Sequence, residues 1–186
     1  VLIIAGSKGM TGAAVLSTFG ALRTGVGLTI TISPSSLNDI YERLIIEGMT
    51  LPLNDYGKGF LNEENFNAIM NKVDWADVVI LGPGLGRETE TIALIKKLVQ
   101  AIQKPLVLDA DGLFPYSDNI AELNQRCSPL VISPHLGEFE KLTGIKKDLI
   151  KSDFPNVMQN FMDGFNHIVL IKQVPSCVFY QNQTIV

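Results

Sequence analysis

Residues 77–88 read DVVILGPGLGRE. An apolar run ends at Leu81, and Gly82, Gly84 and Gly86 follow it. A short apolar run without alternation, closed by turn residues, reads as a strand covered on both faces. The same pattern recurs along the chain: VLIIA (1–5), LTITI (28–32), PLVLD (105–109), PLVIS (129–133), HIVLI (167–171) and CVFYQ (177–181). Helical periodicity fills the gaps. Residues 11–24 carry Ala14, Leu16, Phe19 and Leu22, and residues 88–102 place Ile92, Ile95, Leu98, Val99 and Ile102 on one stripe. Residues 35–47 open with Ser35 and Ser36 as expected caps, and 62–73 open with acidic residues suited to a helix N-terminus. Weaker helical patterns cover 117–125, 137–143 and 154–164.

Strand and helix alternate, which predicts an α/β fold with a mostly parallel sheet flanked by helices on both faces. From His167 onward the rhythm changes. Strands follow one another through short turns expected near Val174-Pro175 and Asn182, so antiparallel strands are expected at the C-terminal edge. No linker divides the chain, and residues 1–186 are expected to form a single domain. Both ends, Val1 and Val186, lie inside strand-like runs. The expectation is a domain truncated at its C-terminus, with the N-terminus a second candidate for truncation.

Composition narrows the function. Hydrophobic residues make up 46% of the 186, enough for a sizeable core. Fifteen basic residues against 19 acidic ones give a net charge of −4, which offers no footprint for nucleic acid or an anionic membrane. No uncharged apolar stretch approaches the roughly 18 residues of a membrane span. The apolar opening lacks the basic lead of a signal peptide. Cys127 and Cys177 match no metal or redox spacing, so reduced thiols and a cytoplasmic location are expected.

The strand ends hold the polar residues. Gly6-Ser7-Lys8-Gly9-Met10-Thr11-Gly12-Ala13 follows the first run, and the glycine cluster 82–86 follows DVVIL. Asp109 and Asp111 follow PLVL, His135 and Glu138 follow PLVIS, and Lys172 follows HIVLI. In an open parallel sheet, ligands bind outside the carboxyl ends of the strands. Five such endings are hard to ascribe to turns alone.

Each residue has two readings. The glycine cluster is not a dinucleotide fingerprint, because its third glycine comes one position too early and Pro83 removes a donor. It is either a β–α turn needing positive φ, or a bare backbone surface that a flat ligand approaches closely. On the second reading Gly84→Val blocks a ligand without unfolding the domain. Asp109 and Asp111 either cap the next helix or serve Mg²⁺ through water. His135 is either a structural histidine or a site residue, whereas His167 opens an apolar run and reads as structural. Glu138 fits a helix N-terminus. Lys172 ends a buried-looking strand, where an anionic ligand or a nearby carboxylate must compensate it.

Taken in series, GSKGMTGA (6–13), GPGLG (82–86), DADGL (109–113), SPHLGEFEKL (133–142) and IK (171–172) resemble the ADP/ATP-dependent NAD(P)H-hydrate dehydratases over nearly the whole chain, Val1 to Val186. The resemblance implies a ribokinase-like fold. It implies repair of hydrated NADH or NADPH, with ADP or ATP phosphorylating the hydrate's hydroxyl in the presence of Mg²⁺ and phosphate then leaving. It implies substrate contacts from Ala13, from Gly82, Gly84 and Gly86, and from His135. Lys172, Gln173 and Ser176 would meet the nucleotide phosphates, and Asp109 and Glu138 the metal and phosphate region. A homotetramer, a cytoplasmic setting and an NAD(P)H-hydrate epimerase partner come with it. The chain departs from the pattern at Gln173, where glycine is usual, and at Leu136. It also lacks the G-[ST]-G-D segment; Asp163-Gly164 has no such flanks. The aspartate of that segment is the general base that the resemblance implies, and it is expected beyond Val186. The competing expectations are a ribokinase-like kinase of a vitamin precursor and a nucleotide-binding module without catalysis. A dehydrogenase ranks below both.

Overall fold

In the computed structural model the strand of DVVIL lies inside the sheet, with partners on both sides. Residues 1–117, 119–181 and 183–186 are described. The strands are β1 (Leu2–Ile4), β2 (Ile30–Pro34), β3 (Met49–Leu53), β4 (Val79–Leu81), β5 (Leu106–Leu108), β6 (Leu130–Ile132), β7 (Ile168–Ile171), β8 (Cys177–Tyr180) and β9 (Gln183–Ile185). Among the described residues they form one sheet in the order β3-β2-β1-β4-β5-β6-β7-β8-β9. Pairing is parallel from β3 through β7 and antiparallel from β7 through β9. The chain runs outward from β1 to β3, then restarts at β4 on the other side of β1. Reversals of this kind are the points at which open parallel sheets bind ligands, outside the carboxyl ends of the strands.

The helices are α1 (Thr11–Arg23), α2 (Asn38–Leu44), α3 (Phe66–Val73), α4 (Thr89–Ala101), α5 (Leu136–Thr143), α6 (Lys147–Ser152) and α7 (Phe154–Met162). Successive strand residues face opposite sides. Ile3 and Ala5 therefore pack with Ala14, Tyr41 and Ile45 beneath α1 and α2. Leu2 and Ile4 join the larger cluster on the other face, with Ile69 of α3, Leu94 and Leu98 of α4, and Phe139 of α5. Ile150 of α6 and Met158 of α7 extend that cluster toward β7 and β8.

Several local expectations are corrected. Ser35 and Ser36 do not cap α2; their hydroxyls donate to Asp55 instead. The pattern at 62–73 splits into a 3₁₀ turn (Glu63–Asn65), capped by Asn62, and α3. Within 117–125 the described chain forms 3₁₀ turns at Ile120–Gln125 rather than an α-helix. Strand β3 and helix α6 had no clear signature. Pro52 argues against a central strand, and β3 tolerates it as the sheet's edge. Val174-Pro175 lies between β7 and β8 as expected, whereas Asn182 falls outside the described residues.

Candidate functional site

Two glycine-rich loops leave β1 and β4 side by side and are tied together. Gly6 N–H donates to the Pro83 carbonyl (2.9 Å), and the buried Ser7 hydroxyl donates to the Gly84 carbonyl (2.8 Å). All three glycines of GPGLG have positive φ, at 126°, 64° and 91°. Gly82 and Gly84 are needed for close approach as well. A Cβ on Gly82 would lie 2.7 Å from the backbone nitrogen of Gly112, and one on Gly84 would lie 2.8 Å from Ala13 Cβ and 3.0 Å from the Met10 carbonyl. The missing side chain of Gly84 makes room for the start of α1. Ala13 and Gly84 are direct neighbours.

Asp111 fastens the far end of the same loop. One carboxylate oxygen accepts from Gly86 N–H (3.1 Å), and the other accepts from Arg87 Nε (2.9 Å). Arg87 in turn lies over the Phe114 ring, 4.8 Å from its centroid. Neither Arg87 nor Phe114 stood out in the sequence. The arginine directly follows GPGLG, but nothing local says which carboxylate holds it.

The charged residues converge at the ends of β5, β6 and β7. Lys172 Nζ sits 2.5 Å from Asp109 Oδ1 and 3.9 Å from Glu138 Oε2. Its backbone N–H donates to the Pro134 carbonyl (3.0 Å), and His135 and Lys172 form a parallel bridge beyond β6 and β7. This is the nearby-carboxylate reading of Lys172. His135 is the N-cap of α5: its Nδ1 accepts from Gly137 N–H (3.0 Å) and Glu138 N–H (3.1 Å), while Glu138 Oε2 accepts from His135 N–H (2.9 Å). Histidine and glutamate thus form a reciprocal capping box. The rim brings Asp109, His135, Glu138 and Lys172 together.

Gln173 and Ser176 stay within the turn between β7 and β8. The Ser176 hydroxyl donates to the Gln173 carbonyl (3.1 Å), and the Gln173 amide reaches toward Cys177 Sγ (3.8 Å). His167 is buried, with Nε2 2.9 Å from the Leu123 carbonyl, and burial lowers its pKa; that matches its structural reading.

Val186 follows β9 and is exposed. It borders a cavity with Phe154, Phe179 and Thr184 that none of the rim residues lines. Its side chain has no group to accept a proton.

Beside His135 lies a pocket of about 160 Å³ lined by Arg87, Phe114, His135, Glu138 and Lys141. No cluster of three ligating His, Cys, Asp or Glu side chains occurs among the described residues. Asp109 and Glu138 instead share one ammonium group. That donor set does not suit a Mg²⁺ ion chelated by the protein itself.

A further buried carboxylate was missed by sequence reasoning. Asp55 is fully buried and accepts from the Ser35 hydroxyl, from Ser36 N–H and hydroxyl, and from Gly59 N–H. The Gly59 carbonyl accepts from Lys8 N–H (2.8 Å), so Asp55 steadies the loop against which GSKGMTGA rests.

A family model described as NAD(P)H-hydrate dehydratase matches residues 1–186. The bifunctional NAD(P)H-hydrate repair enzyme Nnr of Salinibacter ruber is 34% identical over 179 residues, covering 95% of this chain and 33% of that protein. The ADP-dependent (S)-NAD(P)H-hydrate dehydratase of Listeria monocytogenes is 27% identical over 152 residues, covering 81% of this chain and 51% of that protein. The chain thus spans a third to a half of these relatives. In fold it is similar to the ADP/ATP-dependent NAD(P)H-hydrate dehydratase of Bacillus subtilis, co-crystallized with ATP/Mg²⁺. The TM-score is 0.71 at 20% identity, over 97% of this chain and 60% of that one. With the family model covering its whole length, and the motifs meeting on one rim of a ribokinase-like sheet, the chain belongs to the NAD(P)H-hydrate dehydratase family.

Proposed function

We propose that the protein acts in the repair of hydrated NADH and NADPH, with ADP, or ATP in its place, as the phosphoryl donor. Hydroxide is a poor leaving group from the hydrated ring, whereas a phosphate ester leaves readily when the ring nitrogen supplies electrons. Such chemistry needs one site for the hydrated ring and another, cationic one for the donor's phosphates. The observation that carries the reading is the convergence of Lys172, Asp109, Glu138 and His135 on one rim.

In this reading Ala13, the glycine loop 82–86 and His135 border the hydrate, and Lys172 faces the donor phosphates. Asp109 and Glu138 hold the ammonium in place until phosphate oxygens replace them. Gln173 and Ser176 would contribute through the turn that follows Lys172. The general base would come from a G-[ST]-G-D segment beyond Val186; these 186 residues do not contain one. A Mg²⁺ ion would enter on the nucleotide's own phosphates, and no step here depends on it. We further place the protein in the cytoplasm, as a homotetramer working with an epimerase that supplies the reactive hydrate epimer. The described residues include no helix long and apolar enough to cross a membrane.

The test is recovery of reduced nicotinamide absorbance from NADPH hydrate with ADP, using the longest chain the gene encodes. Lys172→Ala should raise the KM for ADP at least tenfold, the scale of a lost charge-assisted contact, and change the hydrate KM little. ADP turnover on other alcohols without NADPH recovery would refute the reading.

A further inference from the structure

The pocket beside His135 has cationic walls that the proposed chemistry leaves unused. Arg87 is held on two sides. Asp111, nearly buried, accepts from its Nε, and the Phe114 ring supports the guanidinium plane at 4.8 Å. Asp111's other oxygen is occupied by Gly86 N–H. Among the described residues no acceptor meets the two terminal nitrogens of Arg87, although its side chain lines the pocket. A surface arginine normally samples many rotamers. One fixed by a carboxylate and a ring, with its terminal donors unclaimed, is preorganised to pair two oxygens of one anion, as a phosphate group offers. Lys141 lines the same pocket and forms no ion pair among the described residues. Glu138, the pocket's carboxylate, is turned toward the His135 N–H and Lys172.

We infer that Arg87 and Lys141 form an anion subsite, in the pocket beside His135, that grips a phosphate group of the dinucleotide substrate. The inference rests on the proposed hydrate-repair reading and adds to it a pair of specificity-determining residues. Two phosphates share this chemistry: the pyrophosphate common to both substrates and the 2′-phosphate of the NADP form. The pocket holds one such group and its immediate neighbours, not a whole dinucleotide.

The experiment measures dissociation constants of NADPH and NADH, and the KM values of both hydrates and of ADP. It compares wild type, Arg87→Gln and Lys141→Ala. Arg87→Gln also removes the bond to Asp111, so Lys141→Ala, on an exposed side chain, guards against a folding artefact. Each variant should weaken dinucleotide binding about tenfold or more, as expected for a lost charged hydrogen bond, and leave the KM for ADP within about twofold. Loss confined to the NADP form identifies the 2′-phosphate, and equal loss in both forms identifies the pyrophosphate. Unchanged binding of both forms in both variants overturns the subsite, even if hydrate repair is seen. Weakened dinucleotide binding in a protein that repairs no hydrate keeps the subsite and removes the repair reading. A wild type that binds neither dinucleotide overturns the subsite as well.

Discussion

His135 has a structural task that can be separated from its proposed ligand contact. Its Nδ1 accepts two backbone N–H groups, so the ring hydrogen lies on Nε2, 3.6 Å from Glu138 Oε1. His135→Ala should cost α5 its cap, about 1 kcal/mol in urea unfolding, and weaken hydrate binding more than ADP binding. His135→Asn restores a good cap without the imidazole, so stability should return while hydrate affinity stays low. If affinity returns too, the capped helix alone was required. Asp55 gives a second prediction at this scale. Burial by itself would raise its pKa, but the Ser36 hydroxyl, Gly59 N–H, Ser36 N–H and Ser35 hydroxyl outweigh it and hold the group at about 2, against 3.8 unperturbed. A depressed native pKa contributes stability above the unfolded value and loses it as pH falls through the native one. Asp55→Asn should therefore cost about 2 kcal/mol at neutral pH, with the gap from wild type narrowing as pH drops from 3.8 toward 2. A gap independent of pH would show that shape, not charge, holds the loop.

Elements meet here through missing side chains. Gly84 sits at φ 64°, with Ala13 and Met10 of the α1 approach where a Cβ would lie. Gly84→Val should therefore strain the backbone and push the first loop away, costing about 1–3 kcal/mol and lowering the melting temperature. This replaces the expectation that valine would leave the fold intact. An unchanged melting temperature would restore that expectation. The same packing answers what the glycines in GPGLG are for: they let the ends of β1, β4 and β5 lie against one another. Local sequence did show where these loops occur, because glycine after an apolar run is a short-range signal. It did not show which way each absent Cβ points, since that depends on residues such as Ala13, far away in the chain. Strand β3 escaped notice for a related reason. Its proline is acceptable only at a sheet edge, and edge position is a property of the assembled sheet.

At the scale of the whole molecule, one sheet carries both parts of the proposed site. The reversal between β1 and β4 sets the two glycine loops side by side, and the parallel run through β7 carries Asp109, His135 and Lys172 along the same rim. A ligand bridging those loops should stabilise the domain as a unit. ADP at a hundred times its Kd should add about 2.7 kcal/mol to unfolding, and NADPH should add its own increment in the same thermal scan. Protection by neither ligand would argue that the rim is not a binding site. By itself the sequence determined the alternation of strands and helices, the antiparallel finish, and the rim residues one by one. Those signals lie in runs, periods and caps that span a few positions. Only the tertiary structure decided their partners. Lys172 meets Asp109 across 63 positions, Arg87 meets Asp111 across 24, and Asp55 gathers donors about 20 positions upstream. Hydrogen bonds and ion pairs of that reach are set by strand order and register, which no local pattern encodes.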